Sequence, residues 1–295
     1  MTEVKEKGRS TIKKRSQFKS VFFRFKKNKM AMFGLVVLII LTLVAVFADF
    51  IADYENDAIS QNMKIRLQTP SREHIFGTDQ YGRDMFARIV FGTRISLFVG
   101  VVSIIASLIV GAVIGAVAGY YGGAIDNVIM RIMDVLLAIP QTLLAISIVA
   151  ALGTGIFNLL LAMSISSVPR FARIVRSSIL SIADQEFVEA AKACGTKDAR
   201  IITKHIIPNA IGPIIVQATL NMASTIIGIA GLSFIGLGIE PPIPEWGSIL
   251  SEGKTQMRYY PHLVVIPGIA IVFAVMALNL IGDGLRDSLD PRLKN

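Results

Sequence analysis

The chain has 295 residues, 53% of them hydrophobic and 17% charged, with a mean hydropathy of +0.61 and a net charge of +9. Soluble globular proteins carry about 25% charged residues, so this balance excludes that class and points to an all-α integral membrane protein. The single cysteine, Cys194, excludes an internal disulfide and a cysteine-based metal cluster.

Residues 1–29 form a tail with eleven Lys/Arg against two acids, Glu3 and Glu6. The tail runs straight into an apolar segment, so it reads as a cytoplasmic anchor under the positive-inside rule, not as a nucleic-acid arm. The lead-in is long and no A-x-A end follows, so no cleavable signal peptide is expected. A first span is predicted over 30–50: Met30 to Ala48 is uncharged, and at about 1.5 Å per residue it nearly crosses a hydrocarbon core of about 30 Å.

An outer loop is predicted over 51–94, then a five-helix unit over 95–283. The uncharged runs are Ile95–Ile125, Val135–Pro169, Ile206–Ile239 and Leu263–Gly282. The run from Val135 is too long for one pass and holds Gly153-Thr154-Gly155, so two helices joined by a tight turn are expected. Sidedness supports that division. With the N-terminus inside, four spans return 170–205, with its seven Lys/Arg, to the inside. Six helices result, with the N-terminus and a C-terminal tail at 284–295 both cytoplasmic. The fourth helix is short from Ile156 to Val168 and is expected to continue to Arg176.

Within the spans, Gly111, Gly115 and Gly119 make a small face flanked by Ala112 and Ala116. Packing inside this chain is the favoured reading over packing on a partner. Arg131 and Asp134 are three apart and share a helix face near the cytoplasmic mouth, where they can pair. Pro140 is placed to kink the same helix. Gln217, Asn221, Ser224 and Thr225 form a polar stripe that lines a pathway or bonds neighbouring helices; pathway lining is favoured, together with Arg131 and Asp134. A second outer loop, from about Glu240 to His262, holds Pro241, Pro242, Pro244 and Trp246.

The segment EAAKACGTKDARIITKHIIPN, Glu189 to Asn209, interrupts the apolar runs. Ser181 to Cys194 reads as a short helix that Ser181 or Asp184 can cap. Gly195 permits a sharp turn, Thr196 can cap a second short helix, and Pro208 ends it. Glu189-Ala190-Ala191, three residues, Gly195, nine residues, then His205-Ile206-Ile207-Pro208 resembles the EAA motif of ATP-binding-cassette importer permeases. His205 departs from its Ile and Ile207 from its Leu.

Other segments are similar to one branch of those permeases, the second permease subunit of dipeptide, oligopeptide and nickel importers. They are Phe76-Gly77-Thr78-Asp79, Gly82-Arg83-Asp84, Gly92 to Leu97, Leu232 to Gly238 with Pro241-Pro242-x-Pro244 and Trp246-Gly247, Asn279 to Asp287, and Asp290-Pro291-Arg292. The resemblance implies a type I importer permease fold in a prokaryotic inner membrane, with a coupling loop over 177–207. Glu189, Ala190, Ala191, Lys192, Gly195, Thr196, His205 and Pro208 would dock a separate ATPase. It implies a homologous permease, two ATPase subunits carrying ATP and Mg, an external binding protein and membrane lipid as partners. Arg83, Asp84 and Arg88 either dock that binding protein or hold the outer loop.

The chain has no G-x-x-x-x-G-K-[ST] loop, no H-E-x-x-H, and widely separated His74, His205 and His262. No catalytic residue, metal site or cofactor of its own is expected, and no nucleic acid. The implied function is half of a translocation pathway for di- or oligopeptides, with nickel or metal-chelate uptake as the option within the family. The alternative from another class is a self-contained ion-coupled transporter or channel, which would be expected to show intramembrane ion sites or inverted repeats.

Overall fold

The computed structural model describes residues 17–289; residues 1–16 of the basic tail and the Asp290-Pro291-Arg292 motif lie outside the described residues. The elements are α1 (Gln17–Lys27), α2 (Lys29–Val46), α3 (Ala48–Ile51), α4 (Met85–Tyr121), α5 (Gly123–Ala138), α6 (Gln141–Leu152), α7 (Ile156–Ala183), α8 (Glu186–Ala193), α9 (Asp198–Ile201), α10 (Ile207–Phe234), α11 (Trp246–Gly253) and α12 (His262–Leu289). The long helices bundle together. The end where residues 52–84 and 235–262 gather is called the loop end below, and the opposite one, with α8 and α9, the basic end.

Helix ends follow local chemistry. Asn28 caps α2 by accepting from the backbone N–H of Met30 and Ala31. Asp84 caps α4 through Ala87 N–H at 2.9 Å, and Gly122, at φ 63°, ends it. Residues 95–121 of α4 carry no charge, so nothing in the sequence stops it across 37 residues. That is about 56 Å of helix, so its first turns stand clear of a bilayer core. There Arg94 reaches back to the end of α2, Nε to Ala45 O at 2.7 Å and NH2 to Asp49 Oδ2 at 2.8 Å.

Helices α2, α4, α12 and the joined Asp198–Phe234 stretch are long and apolar enough to cross a membrane, and α5 with α6 makes a fifth if that pair is one span. Among the described residues these number four or five by length and composition, where the sequence suggests six. The difference is α7, which carries Arg170, Arg173 and Arg176 along its 28 residues. Pro140 does more than kink: α5 and α6 are bent by 87° at the break it makes. Proline has no N–H to continue the ladder and disfavours helical geometry at Ile139, which is extended.

Other expectations about helix limits are corrected. Helix α7 runs past Arg176 to Ala183, so Ser181 lies inside it, its hydroxyl donating to Ser178 O at 2.7 Å. Asp184 sits at the C-terminal end of α7, and the following helix starts after Gln185 without a side-chain cap. Thr196 does not cap α9; Lys197 precedes it, again without a side-chain cap. Pro208 does not end a helix. A wide π turn, Ile202–Ile206, joins α9 to α10, with Ile207 N–H bonded to Ile202 O. The wider turn accommodates a residue that cannot donate to the carbonyl four back. Asn209 Nδ2 also donates to the His205 carbonyl at 2.6 Å.

The glycine stripe packs inside the chain. A Cβ on Gly111, Gly115 or Gly119 would meet Phe171, Ala172, Val175, Arg176 or Ile179 of α7, so α4 and α7 lie backbone to backbone. One apolar core near the loop end joins Val99, Val149, Leu159, Met163 and Ile229. A second, near the basic end, joins Val175, Ile179, Val188, Ile201, Ile206 and Ile214. Large apolar side chains on α2, α4 and α12, among them Ile40, Ile109, Val113 and Val272, face outward, the surface a lipid environment requires.

Candidate coupling surface and pathway

Helices α8 and α9 form a bent unit across the basic end. Val188, Ile201 and Ile206 are fully buried against α7 and α10, and Ala191 packs beside them. Each such side chain contributes about 1.5–3 kcal/mol on burial, so the unit is fixed to the bundle by its inner face. Glu189, Ala190, Lys192 and Gly195 are exposed on the outer face. Gly195 has φ 72° and nothing near where a Cβ would stand, so the requirement for glycine there is backbone conformation alone. Thr196 N–H bonds Ala191 O at 3.1 Å and Gly195 N–H bonds Lys192 O at 2.9 Å, the paired bonds of a Schellman end.

The unit is also tied to the end of α4. Tyr120 Oη donates to Asp198 Oδ1 at 2.8 Å, and Lys192 Nζ lies 5.1 Å from the centre of the Tyr120 ring. The sequence reading missed Tyr120; its position at the end of an uncharged run was the available signal. His205 is partly exposed and contributes its backbone to the π turn.

At the loop end, Arg83 and Arg88 are 1% and 0% exposed, not free at a docking surface. Arg83 Nε meets Asp79 Oδ2 at 2.6 Å, and its NH2 meets Glu252 Oε2 at 2.5 Å. Arg88 NH1 bonds the same Asp79 oxygen and lies 2.7 Å from Glu252 Oε2. Asp79 Oδ1 accepts from the backbone N–H of Tyr81 and Arg83. Of the two readings, holding the loop is the one these contacts support for both arginines. Asp84 caps α4 and takes His74 Nδ1 at 2.8 Å. Thr78 Oγ1 accepts from Gln68 N–H at 2.9 Å. Gly77 and Gly82, both at φ 75°, let the loop turn against Gln68 and Asn62. Glu252, on α11, has no signal in the sequence, where Asp79 and Asp84 already match Arg83 and Arg88 in number and burial is not legible. Beside it, Trp246 is fully buried and Glu245 caps α11 through Ser248 N–H while accepting from Ser96 Oγ at 3.1 Å.

The expected Arg131–Asp134 pair does not form. Arg131 is exposed, and Asp134 Oδ1 accepts from Arg173 NH2 at 2.6 Å. Arg176 takes both oxygens of Asp126. The polar stripe of α10 divides. Asn221 and Thr225 are 4% and 1% exposed, Gln217 is half-buried, and Ser224 is exposed. Asn221 Oδ1 accepts from Gln217 Nε2 at 3.1 Å and from Arg170 NH1 at 3.2 Å.

Residues 111–295 match the family described as binding-protein-dependent transport system inner membrane component, and residues 16–70 match the N-terminal TM domain of oligopeptide transport permease C. The chain belongs to this family of importer permeases. It is 47% identical over 280 residues to the dipeptide transport system permease protein DppC of Alkalihalophilus pseudofirmus, covering 95% of this chain and 91% of that one. It is 45% identical over 271 residues to the glutathione transport system permease protein GsiD of Escherichia coli O157:H7, covering 92% and 89%. The fold resembles a solved chain of the MetNI methionine ABC transporter in an inward-facing conformation, with a TM-score of 0.58 at 18% identity over 70% of this chain and 98% of that one. The permease is therefore an all-α, multi-span membrane protein of the peptide and nickel branch of ABC importers, and a transport component, not an enzyme. Among the described residues no group of three His, Cys, Asp or Glu is placed to hold a metal ion.

Proposed function

We propose that the permease forms half of the translocation pathway of an ATP-driven importer of di- or oligopeptides. The observation that carries this reading is similarity along nearly the whole chain to permeases named for dipeptide and glutathione transport. Helices α2, α4, the broken pair α5–α6, α7, α10 and α12 are the six spans, with the basic end and both termini cytoplasmic. The sequence divisions stand on the same footing: 51–94 is extracytoplasmic and 177–207 is the coupling loop.

The outer face of α8 and the Gly195 turn is the docking surface for an ATPase subunit that binds ATP and Mg. Its exposure and its buried inner face support that role: a push on α8 passes through Val188, Ile201 and Ile206 into α7 and α10. A homologous permease completes the pathway, a second ATPase serves it, and an extracytoplasmic binding protein delivers substrate. Driving such a switch from 1:99 to 99:1 needs about 5.5 kcal/mol of differential binding, which the ATPases supply.

Purification of the permease from membranes, followed by ATP-dependent peptide uptake in proteoliposomes, tests the reading. Co-purifying ATPase subunits and uptake of peptide are expected. A permease that transports alone, or a complex that takes up only nickel or a metal chelate, would sink the peptide assignment.

A further inference from the structure

Three arginines lie along α7 at 170, 173 and 176, and they are not equivalent. Arg173 and Arg176 each hold a carboxylate, from Asp134 and Asp126. Arg170 holds only a neutral amide: its NH1 donates to Asn221 Oδ1 at 3.2 Å. Among the described residues no carboxylate lies within ion-pair reach of it. The residue is nevertheless exposed on the surface of this chain.

Its depth can be read from both helices. Arg170 is fourteen residues from the start of α7 at Ile156, and Asn221 thirteen from the end of α10 at Phe234. At 1.5 Å per residue each is about 20 Å from the loop end. The turns at that end are bonded to each other, Gly155 N–H to Gly238 O at 3.1 Å and Thr154 Oγ1 to Glu240, so the two depths share an origin. A bilayer core is about 30 Å thick. Measured from that end, the backbone at Arg170 falls within the length of such a core, where an ion without a counter-charge is costly and is tolerated facing a polar cavity. Gln217 on α10, and Gln141 bonded to Ser167 at 3.0 Å, supply the polar surroundings.

We propose that Arg170 is a transient carboxylate-binding site in the pathway, which takes the C-terminal carboxylate of a peptide in transit. The proposal rests on the peptide-import reading. With NH1 on Asn221, the remaining donors of the planar guanidinium can accept a carboxylate side-on with two parallel hydrogen bonds. The neutral Asn221 amide holds the guanidinium in place throughout without neutralising it, whereas a resident carboxylate would compete for the site.

The test uses proteoliposomes holding the whole importer, with its partner subunits and binding protein, in a Cys194→Ser background. Uptake of radiolabelled dialanine is compared with uptake of its C-terminal amide. The binding protein is a separate polypeptide, so a change at Arg170 leaves its selectivity alone. Arg170→Gln, which keeps an amide donor and loses the charge, is expected to cut dialanine uptake about tenfold or more, the least that losing charge-assisted hydrogen bonds should cost, and to cut amide uptake much less. Arg170→Lys is expected to retain most of the preference. In Arg170→Cys, labelled after assembly, a thiosulfonate carrying an ammonium group is expected to restore dialanine uptake, and one carrying a sulfonate to block it. Equal losses for acid and amide in Arg170→Gln, or equal responses to the two reagents, overturn the site. Wild-type importer that takes up neither dialanine nor a longer peptide overturns the peptide reading instead.

Discussion

Single residues carry the geometry of the two ends. Gly195 is open to solvent and fixed by φ 72°, so Gly195→Ala is expected to cost about 1–2 kcal/mol at the turn and Gly195→Pro more. The expected readout is weaker ATPase co-purification with the spans still folded. Glu189 is exposed on the same face, and Glu189→Lys is expected to weaken that co-purification without lowering the permease's own thermal midpoint. At the loop end, Glu252 neutralises two arginines that are almost fully buried. Glu252→Gln leaves a positive charge uncompensated, and a loss of about 3–5 kcal/mol is expected. Thermal unfolding in detergent measures it, and a midpoint unchanged from wild type would show that the network contributes nothing to stability. The motif glycines and Asp79 of this loop could be picked out in the sequence, but Glu252 could not be matched to them. The two lie more than 160 positions from each other, and only folding sets α11 against the start of α4.

Among the elements, α4 against α7 is the contact most dependent on small side chains. A Cβ on Gly115 would meet Ala172 O and the backbone of Arg176. Gly115→Leu is therefore expected to separate the two helices and to lower the thermal midpoint, by about 1–3 kcal/mol or more from overpacking. The α8–α9 unit depends instead on apolar burial. Ile201→Ala is expected to cost about 2–5 kcal/mol locally, read as faster proteolysis between Glu186 and Arg200 while the remaining helices stay protected. Helix centres were legible from uncharged runs; helix ends were less so. Gln185 and Lys197 precede helices without side-chain caps, so Ser, Thr and Asp do not mark these boundaries. Proline suggests a stop at 208, and the π turn just before it, Ile202–Ile206, leaves no local signal.

For the molecule as a whole, the proposed sidedness gives a direct test, since Cys194 is the only cysteine in the sequence and is exposed at the basic end. A membrane-impermeant maleimide is expected to label inverted vesicles and not right-side-out ones. The reverse pattern would place the coupling surface on the wrong side for an ATPase. By itself the sequence determined that the chain is an α-helical membrane protein, where its apolar runs lie, and which family its motifs belong to. The first two follow from composition and run length, which are local, and the family from the resemblance of its motifs to those of importer permeases. Only the tertiary structure decided which charges meet: Arg83 and Arg88 with Asp79 and Glu252, Arg173 with Asp134 in place of Arg131, and Arg170 with an amide alone. Ion pairing in a low-dielectric interior depends on a few ångströms between helices, and that distance is set by how the helices pack, not by how far apart their residues stand in the chain.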